Sequence, residues 1–178
     1  STTTLARVKN IPPTLLPRIL WSLSMAVKYL HDYGIIHGDI KASNILLFND
    51  WSIKLTDYGF SVPIEEYDHK GGTSSHRAPE CAGTWSTPSD IWSLGCTFYE
   101  TAFRCNLFSR FSVDTSILHD EWKSIYPSES SSVGVEYETK YIERADKFCS
   151  ATSNKLLDDL IIRTLNPNPK TRYTIDDV

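Results

Sequence analysis

Apolar residues recur at three- and four-residue steps between about Thr14 and Asp32, at Leu16, Leu20, Leu23, Val27 and Leu30. That period puts them on one face of a helix. Pro17 is acceptable in its first turn, where the missing N–H costs no hydrogen bond. After Gly34 the pattern changes to short apolar runs, Ile35-Ile36 and Ile45-Leu46-Leu47, which predict two buried strands. Ile53 and Leu55 alternate with Lys54 and Thr56 as a further strand, and Asn49-Asp50 between these runs is a turn signal, so a hairpin is expected. Farther on, Ile91, Trp92, Leu94, Cys96, Phe98 and Tyr99 make a segment apolar nearly all round. It predicts a buried helix, capped by Ser89 or Thr87. Leu156, Leu157, Leu160, Ile161 and Leu165 predict another helix over about 153–165, broken by Asn166-Pro167-Asn168-Pro169. Ile117 to Ile125 is a weaker helical stretch, and Ser128 to Ser132 a solvated Ser/Glu loop. Residues 1–13, with Thr2-Thr3-Thr4 and Pro12-Pro13, read as an irregular lead-in. The fold class expected is mainly α with short β-hairpins.

Between the first two strands lies the polar loop His37-Gly38-Asp39-Ile40-Lys41-Ala42-Ser43-Asn44. Apolar flanks let such a loop aim a carboxylate, an ammonium and an amide at one point. Those groups suit phosphoryl transfer: a carboxylate orients a hydroxyl, a cation meets phosphate charge, and an amide oxygen holds a metal.

Composition narrows the class. With 178 residues the chain can bury one real core, and 40% hydrophobic and 22% charged residues are globular values. A net charge of −4 without a long basic run does not suggest nucleic acid or an anionic membrane as partner. No apolar run approaches the ~18 residues of a membrane span, and no signal peptide is visible. Cys81, Cys96, Cys105 and Cys149 form no C-x-x-C pair, so reduced thiols in an intracellular protein, cytoplasmic or nuclear, are expected. The chain opens at Ser1 and stops at Asp176-Asp177-Val178 in a helical pattern, and the expectation is a piece of something longer.

The polar loop resembles the catalytic loop of eukaryotic protein kinases, H-R-D-L-x-x-x-N, at His37, Asp39 and Asn44. It departs at Gly38, where the family usually has Arg, and carries Ile40 for Leu. Further motifs follow in family order. Asp57-Tyr58-Gly59 resembles D-F-G with Tyr for Phe. Gly72-Thr73-Ser74-Ser75-His76-Arg77-Ala78-Pro79-Glu80 resembles the end of an activation segment, G-T-x-x-Y-x-A-P-E, with His76 in the Tyr place. Asp90 stands where the family's central helix carries its signature acid, and Lys170-Thr171-Arg172-Tyr173-Thr174 resembles the late D-P-x-x-R-x-T element, with Asn166 or Asn168 for the Asp. The wording around Asp90-Ile91-Trp92-Ser93-Leu94-Gly95-Cys96 is similar to the cyclin-dependent kinase group.

The resemblance runs from about Leu16 to Val178, weakly between 103 and 152, and implies a kinase C-terminal lobe over 14–178. No G-x-G-x-x-G loop, V-A-I-K lysine or partner glutamate helix precedes it, so the N-terminal lobe is absent from this chain. It further implies ATP and Mg²⁺ as cofactors and a protein as substrate. By resemblance Asp39 orients the substrate hydroxyl and accepts its proton, and Lys41 neutralises the transferred phosphoryl group. Asn44 and Asp57 hold magnesium, and Leu46, between Ile45 and Leu47, belongs to the floor under the adenine. His37 and Tyr58 are expected to be packed structural residues. Thr73 would bond Asp39 and Lys41, Glu80 would pair with Arg172, and Asp90 would accept N–H groups near His37-Gly38. Lys41 two residues after Asp39 resembles serine/threonine rather than tyrosine kinases. The function expected is therefore a serine/threonine kinase fragment, inactive alone and completed by its N-terminal lobe. The alternative is a truncated kinase-like module or pseudokinase lobe that regulates another kinase as a protein partner.

Overall fold

The computed structural model describes residues 2–65, 72–81, 85–104, 107 and 154–178. The weak helical stretch at 117–125, the Ser/Glu loop at 128–132, Cys105 and Cys149 lie outside them.

Helix α1 is Leu16–Asp32, with Pro17 in its first turn and Ile19, Leu20, Leu23, Val27 and Leu30 turned inward. Ile19, Leu23 and Val27 are 0% exposed, and each such side chain contributes roughly 1.5–3 kcal/mol by leaving water. Strand β2, Ile35–Ile36, follows at once. Gly34, at φ 72°, makes the turn between them in a left-handed conformation that glycine adopts without a Cβ penalty.

The two apolar runs that flank the polar loop are both strands, but they enter different sheets. β2 pairs antiparallel with β5, Val62–Pro63. β3, Ile45–Leu47, pairs antiparallel with β4, Ile53–Leu55, as the hairpin implied by Asn49-Asp50. The loop is thus suspended between two small sheets rather than gripped by one.

The lead-in is the clearest correction. Thr3–Thr4 form strand β1 on the other side of β3, with Thr3 opposite Leu47 and Thr4 opposite Leu46. Leu5 opens a single 3-10 turn, Leu5–Arg7, and is 0% exposed. A two-residue strand has no periodicity to read; it exists because β3 offers a free edge and the core takes Leu5.

Helix α2, Thr87–Phe103, is buried on nearly every side. Its N-cap is Ser86, one residue before the expected Thr87; Ser89 sits a turn inside and accepts the Ser86 N–H at 3.2 Å. The hydroxyls of a helix with no wet face need internal partners. Ser93 donates to the His76 carbonyl at 2.7 Å, and Thr97 and Thr101 each donate to the carbonyl four residues back, at 2.8 and 2.7 Å. Helix α3, Lys155–Thr164, is capped by Asn154, whose side chain accepts from the Leu156 and Leu157 N–H groups. It packs against α2 at Gly95, where an added Cβ would lie 2.4 Å from Thr164 Oγ1. No described helix is long and apolar enough to cross a membrane.

Candidate active site

The polar loop leaves β2 and passes over the first turn of α2. Asp90 there is 0% exposed, and a buried carboxylate has to be fully hydrogen-bonded. Its Oδ2 accepts the His37 N–H at 2.8 Å and faces His31 Nε2 at 3.0 Å; its Oδ1 accepts the Gly38 N–H at 3.0 Å. The start of the loop is therefore pinned by its own backbone to α2.

Gly38 has φ 79°, and a Cβ on it would lie 2.6 Å from the Phe60 carbonyl oxygen. The place where the resemblance leads one to expect Arg is closed to any side chain here. His37 is 0% exposed. Its Nδ1 accepts the Asp39 N–H at 3.2 Å, so the proton rests on Nε2, which donates to the Thr56 carbonyl at 3.2 Å. Burial holds His37 below the usual histidine range, against the opposing pull of Asp90, the Thr56 carbonyl, Asp39 and Asp57. The imidazole is a neutral strut, not a proton carrier at neutral pH.

Asp39, 3% exposed, is the centre of the site. Oδ1 accepts the Thr73 N–H at 2.9 Å and the Thr73 hydroxyl at 2.7 Å. Oδ2 accepts Asn44 Nδ2 at 2.9 Å and lies 2.7 Å from Lys41 Nζ. Burial pushes this carboxyl up, but the bonds from Lys41, Thr73 and Asn44 together with the Lys41 charge outweigh it and hold it below the usual carboxylate range. Lys41 Nζ also donates to Thr73 Oγ1 at 2.6 Å. Two stretches of chain thus meet on one carboxylate: the loop, up to its exit turn at Ala42–Asn44, and the segment at Thr73.

Asn44 Nδ2 bonds both the backbone and the side chain of Asp39, which leaves Oδ1 as a hard oxygen donor. The Asn44 carbonyl accepts the Thr56 N–H and hydroxyl, at 2.9 and 3.0 Å. Asp57 follows directly. It is exposed and left-handed, at φ 64°. No group of three or more His, Cys, Asp or Glu side chains able to hold a metal occurs among the described residues. One amide oxygen and one carboxylate fit instead a magnesium ion that takes its other ligands from phosphates and water.

Leu46 is half-buried on β3, on the opposite face from the buried Ile45 and Leu47. Gly59 is exposed; a Cβ on it would come within 3.3 Å of Asp57 Oδ1. Tyr58 departs from the packed role expected of it: it is 52% exposed. Its ring lies 5.2 Å from that of His37 and its hydroxyl donates to the Leu55 carbonyl at 3.2 Å. That contact occupies one face of the ring and leaves the rest in water.

The far end of the segment is anchored separately. Arg172 forms a two-pronged pair with Glu80, NH1 to Oε1 and NH2 to Oε2, the latter at 2.9 Å. The remaining guanidinium bonds go to the Pro88, Asn166 and Pro167 carbonyls, and the group lies 5.1 Å from the Trp92 ring. Asn166 and Asn168 both act as turn formers; Asn166 Oδ1 accepts the Asn168 N–H at 2.9 Å and Asn168 Oδ1 the Lys170 N–H at 3.0 Å. Gly72, read only as the first residue of its motif, and Trp85, which sequence reasoning missed, pack beside this site.

A buried carboxylate is thus framed by a lysine, an asparagine and a segment threonine. Residues 2–178 match the family model described as the protein kinase domain, and the chain belongs to that family. Its relatives include cyclin-dependent kinase B1-1 of Arabidopsis thaliana, 35% identical over 119 residues, 62% of this chain and 38% of the relative. Cyclin-dependent kinase B2-1 of Oryza sativa subsp. japonica is 35% identical over 120 residues, 63% of this chain and 37% of the relative. Cyclin-dependent kinase 2 of Caenorhabditis elegans is 38% identical over 105 residues, 55% of this chain and 28% of the relative. The matched regions thus span between 28% and 38% of the length of these relatives.

Proposed function

We propose that this chain is the C-terminal lobe, over 14–178, of a serine/threonine kinase whose full-length form transfers the ATP γ-phosphate to a protein hydroxyl. The observation that carries this is the Asp39 carboxylate, buried yet ionised, with Lys41 2.7 Å away and Asn44 bonded to it. Asp39 receives the substrate hydroxyl and fixes its direction. A carboxylate held below its usual range is a weak base, which suits a loose transition state that releases the proton late. Lys41 lies against the same carboxylate and is 21% exposed, so its ammonium can meet phosphate charge without leaving the loop. Asn44 Oδ1 and Asp57 would hold magnesium, and Leu46 would lie under the adenine. Bound Mg²⁺ supplies neutralisation of phosphate charge. Lys41 at two residues past Asp39 favours serine or threonine as acceptor.

The relatives are named for their dependence on cyclins, and a regulatory protein is accordingly a partner of the full-length protein, beside its substrate and its N-terminal lobe. Asp39, Lys41, Asn44 and Asp57 supply one jaw of the nucleotide clamp. In-line transfer needs both jaws. The isolated 178-residue chain should bind ATP weakly and show no turnover with Mg²⁺ and a generic protein substrate, whereas the full-length protein should phosphorylate serine or threonine. Turnover by the isolated chain that disappears on Asp39→Asn would overturn the two-jaw argument. A full-length protein that binds another kinase and transfers no phosphate would replace catalysis by the regulatory reading.

A further inference from the structure

Gly72 stands directly before Thr73, and its φ is 78°. A Cβ on it would lie 2.6 Å from the Gly38 carbonyl oxygen and 2.6 Å from two carbons of the Trp85 ring. The Cα of Gly72 is therefore seated in a slot, with catalytic-loop backbone on one side and an indole edge on the other. The Gly72 carbonyl accepts Arg77 NH2 at 3.2 Å. Trp85 is 4% exposed and belongs to the main core.

Glycine takes the left-handed region readily but has no intrinsic reason to stay there. The conformation has to be imposed by its surroundings, and here those are Gly38, Trp85 and Arg77. The residue it delivers is Thr73, whose N–H and hydroxyl both go to Asp39 Oδ1. We infer that Trp85 is a positioning residue: its indole edge walls Gly72 into the slot, and the slot sets where Thr73 meets the Asp39 carboxylate. Trp85 itself touches none of the reacting groups. Its consequence for catalysis rests on the kinase reading of Asp39; the contact chain from Trp85 through Gly72 to Thr73 does not.

The test is amide hydrogen exchange in the 178-residue chain, comparing Trp85→Phe with the parent. The Thr73 amide, bonded to Asp39, should exchange about tenfold faster, while the His37 and Gly38 amides, bonded to Asp90, should stay within about twofold. Gly72→Ala, which crowds the same slot from the other side, should give the same signature. Equal acceleration at all three amides would mean that Trp85 only supports the core, and an unchanged Thr73 amide would remove it from the site; either overturns the inference. In the full-length protein, Trp85→Phe should lower kcat about tenfold, and should have no further effect when Thr73 is already alanine. Losses that multiply would again overturn it. Should the full-length protein transfer no phosphate, the kinase reading fails and the exchange pattern still decides Trp85.

Discussion

The segment from Gly72 to Cys81 is fastened at both ends by a carboxylate paired with a cation, and the two fastenings are built differently. Upstream, Asp39 gathers short polar side chains and one lysine whose side chain is 21% exposed. Downstream, the Arg172 side chain is 0% exposed, holds Glu80 with both prongs and is further committed to backbone carbonyls. The Lys41 side chain still reaches water, and were it to turn from Asp39 the carboxylate would keep its bonds from Thr73 and Asn44. A desolvated guanidinium cannot release its partner, because a lone buried charge costs several kcal/mol. The upstream fastening can loosen; the downstream one can only hold.

The comparison is broken most forcefully downstream. Arg172→Ala and Glu80→Ala should each lower stability by roughly 3–5 kcal/mol, and the double variant should lose far less than the sum. Urea unfolding measures this, and fully additive losses would refute the pair as a coupled unit. Upstream the damage should fall on rate instead. In the full-length protein Asp39→Asn should reduce kcat by about 10²–10⁴, with a loss of stability smaller than that of Arg172→Ala. A loss of folding comparable with that of Arg172→Ala would erase the distinction between the two ends.

Acid should probe the upstream end more gently. His37 and Asp39 both bind protons less readily folded than unfolded. Stability should therefore be complete at neutral pH, begin to fall as pH drops below the ordinary histidine value of 6.5, and fall again below the ordinary aspartate value of 3.8. Urea midpoints across that range measure it, and stability that rises on acidification through 6.5 would contradict the neutral, buried state of His37. The smallest effect expected is none. Gly38 offers no guanidinium to receive a phosphate on the segment, so phosphatase treatment of the full-length protein should leave its activity unchanged. A large loss restored by rephosphorylating Ser74 or Ser75 would show that another cation takes that part.

Much of this frame was legible because it rests on local pattern. The three-and-four spacing from Leu16 to Leu30 marked the inward face of α1, and the turn at Asn49-Asp50 announced the hairpin. What escaped notice depends on partners far along the chain. Thr3 and Thr4 become a strand only because Leu47 and Leu46 lie opposite them. The two flanks of the polar loop read alike, yet Ile36 pairs with Val62 while Ile45 pairs with Leu55. Tyr58 was expected to be packed because motif position says nothing about which face of a ring is covered. Trp85 belongs to no motif, and its place beside the left-handed Gly72 is a contact that no periodicity records.

The pairing of Glu80 with Arg172 spans 92 positions. On a ribosome adding about 5–20 residues per second, the arginine emerges roughly 5–20 s after the glutamate. Throughout that interval Glu80 lacks the guanidinium that both of its carboxylate oxygens bond in the folded chain. A newborn chain thus carries a half-built segment for far longer than the microseconds a helix such as α1 needs to form.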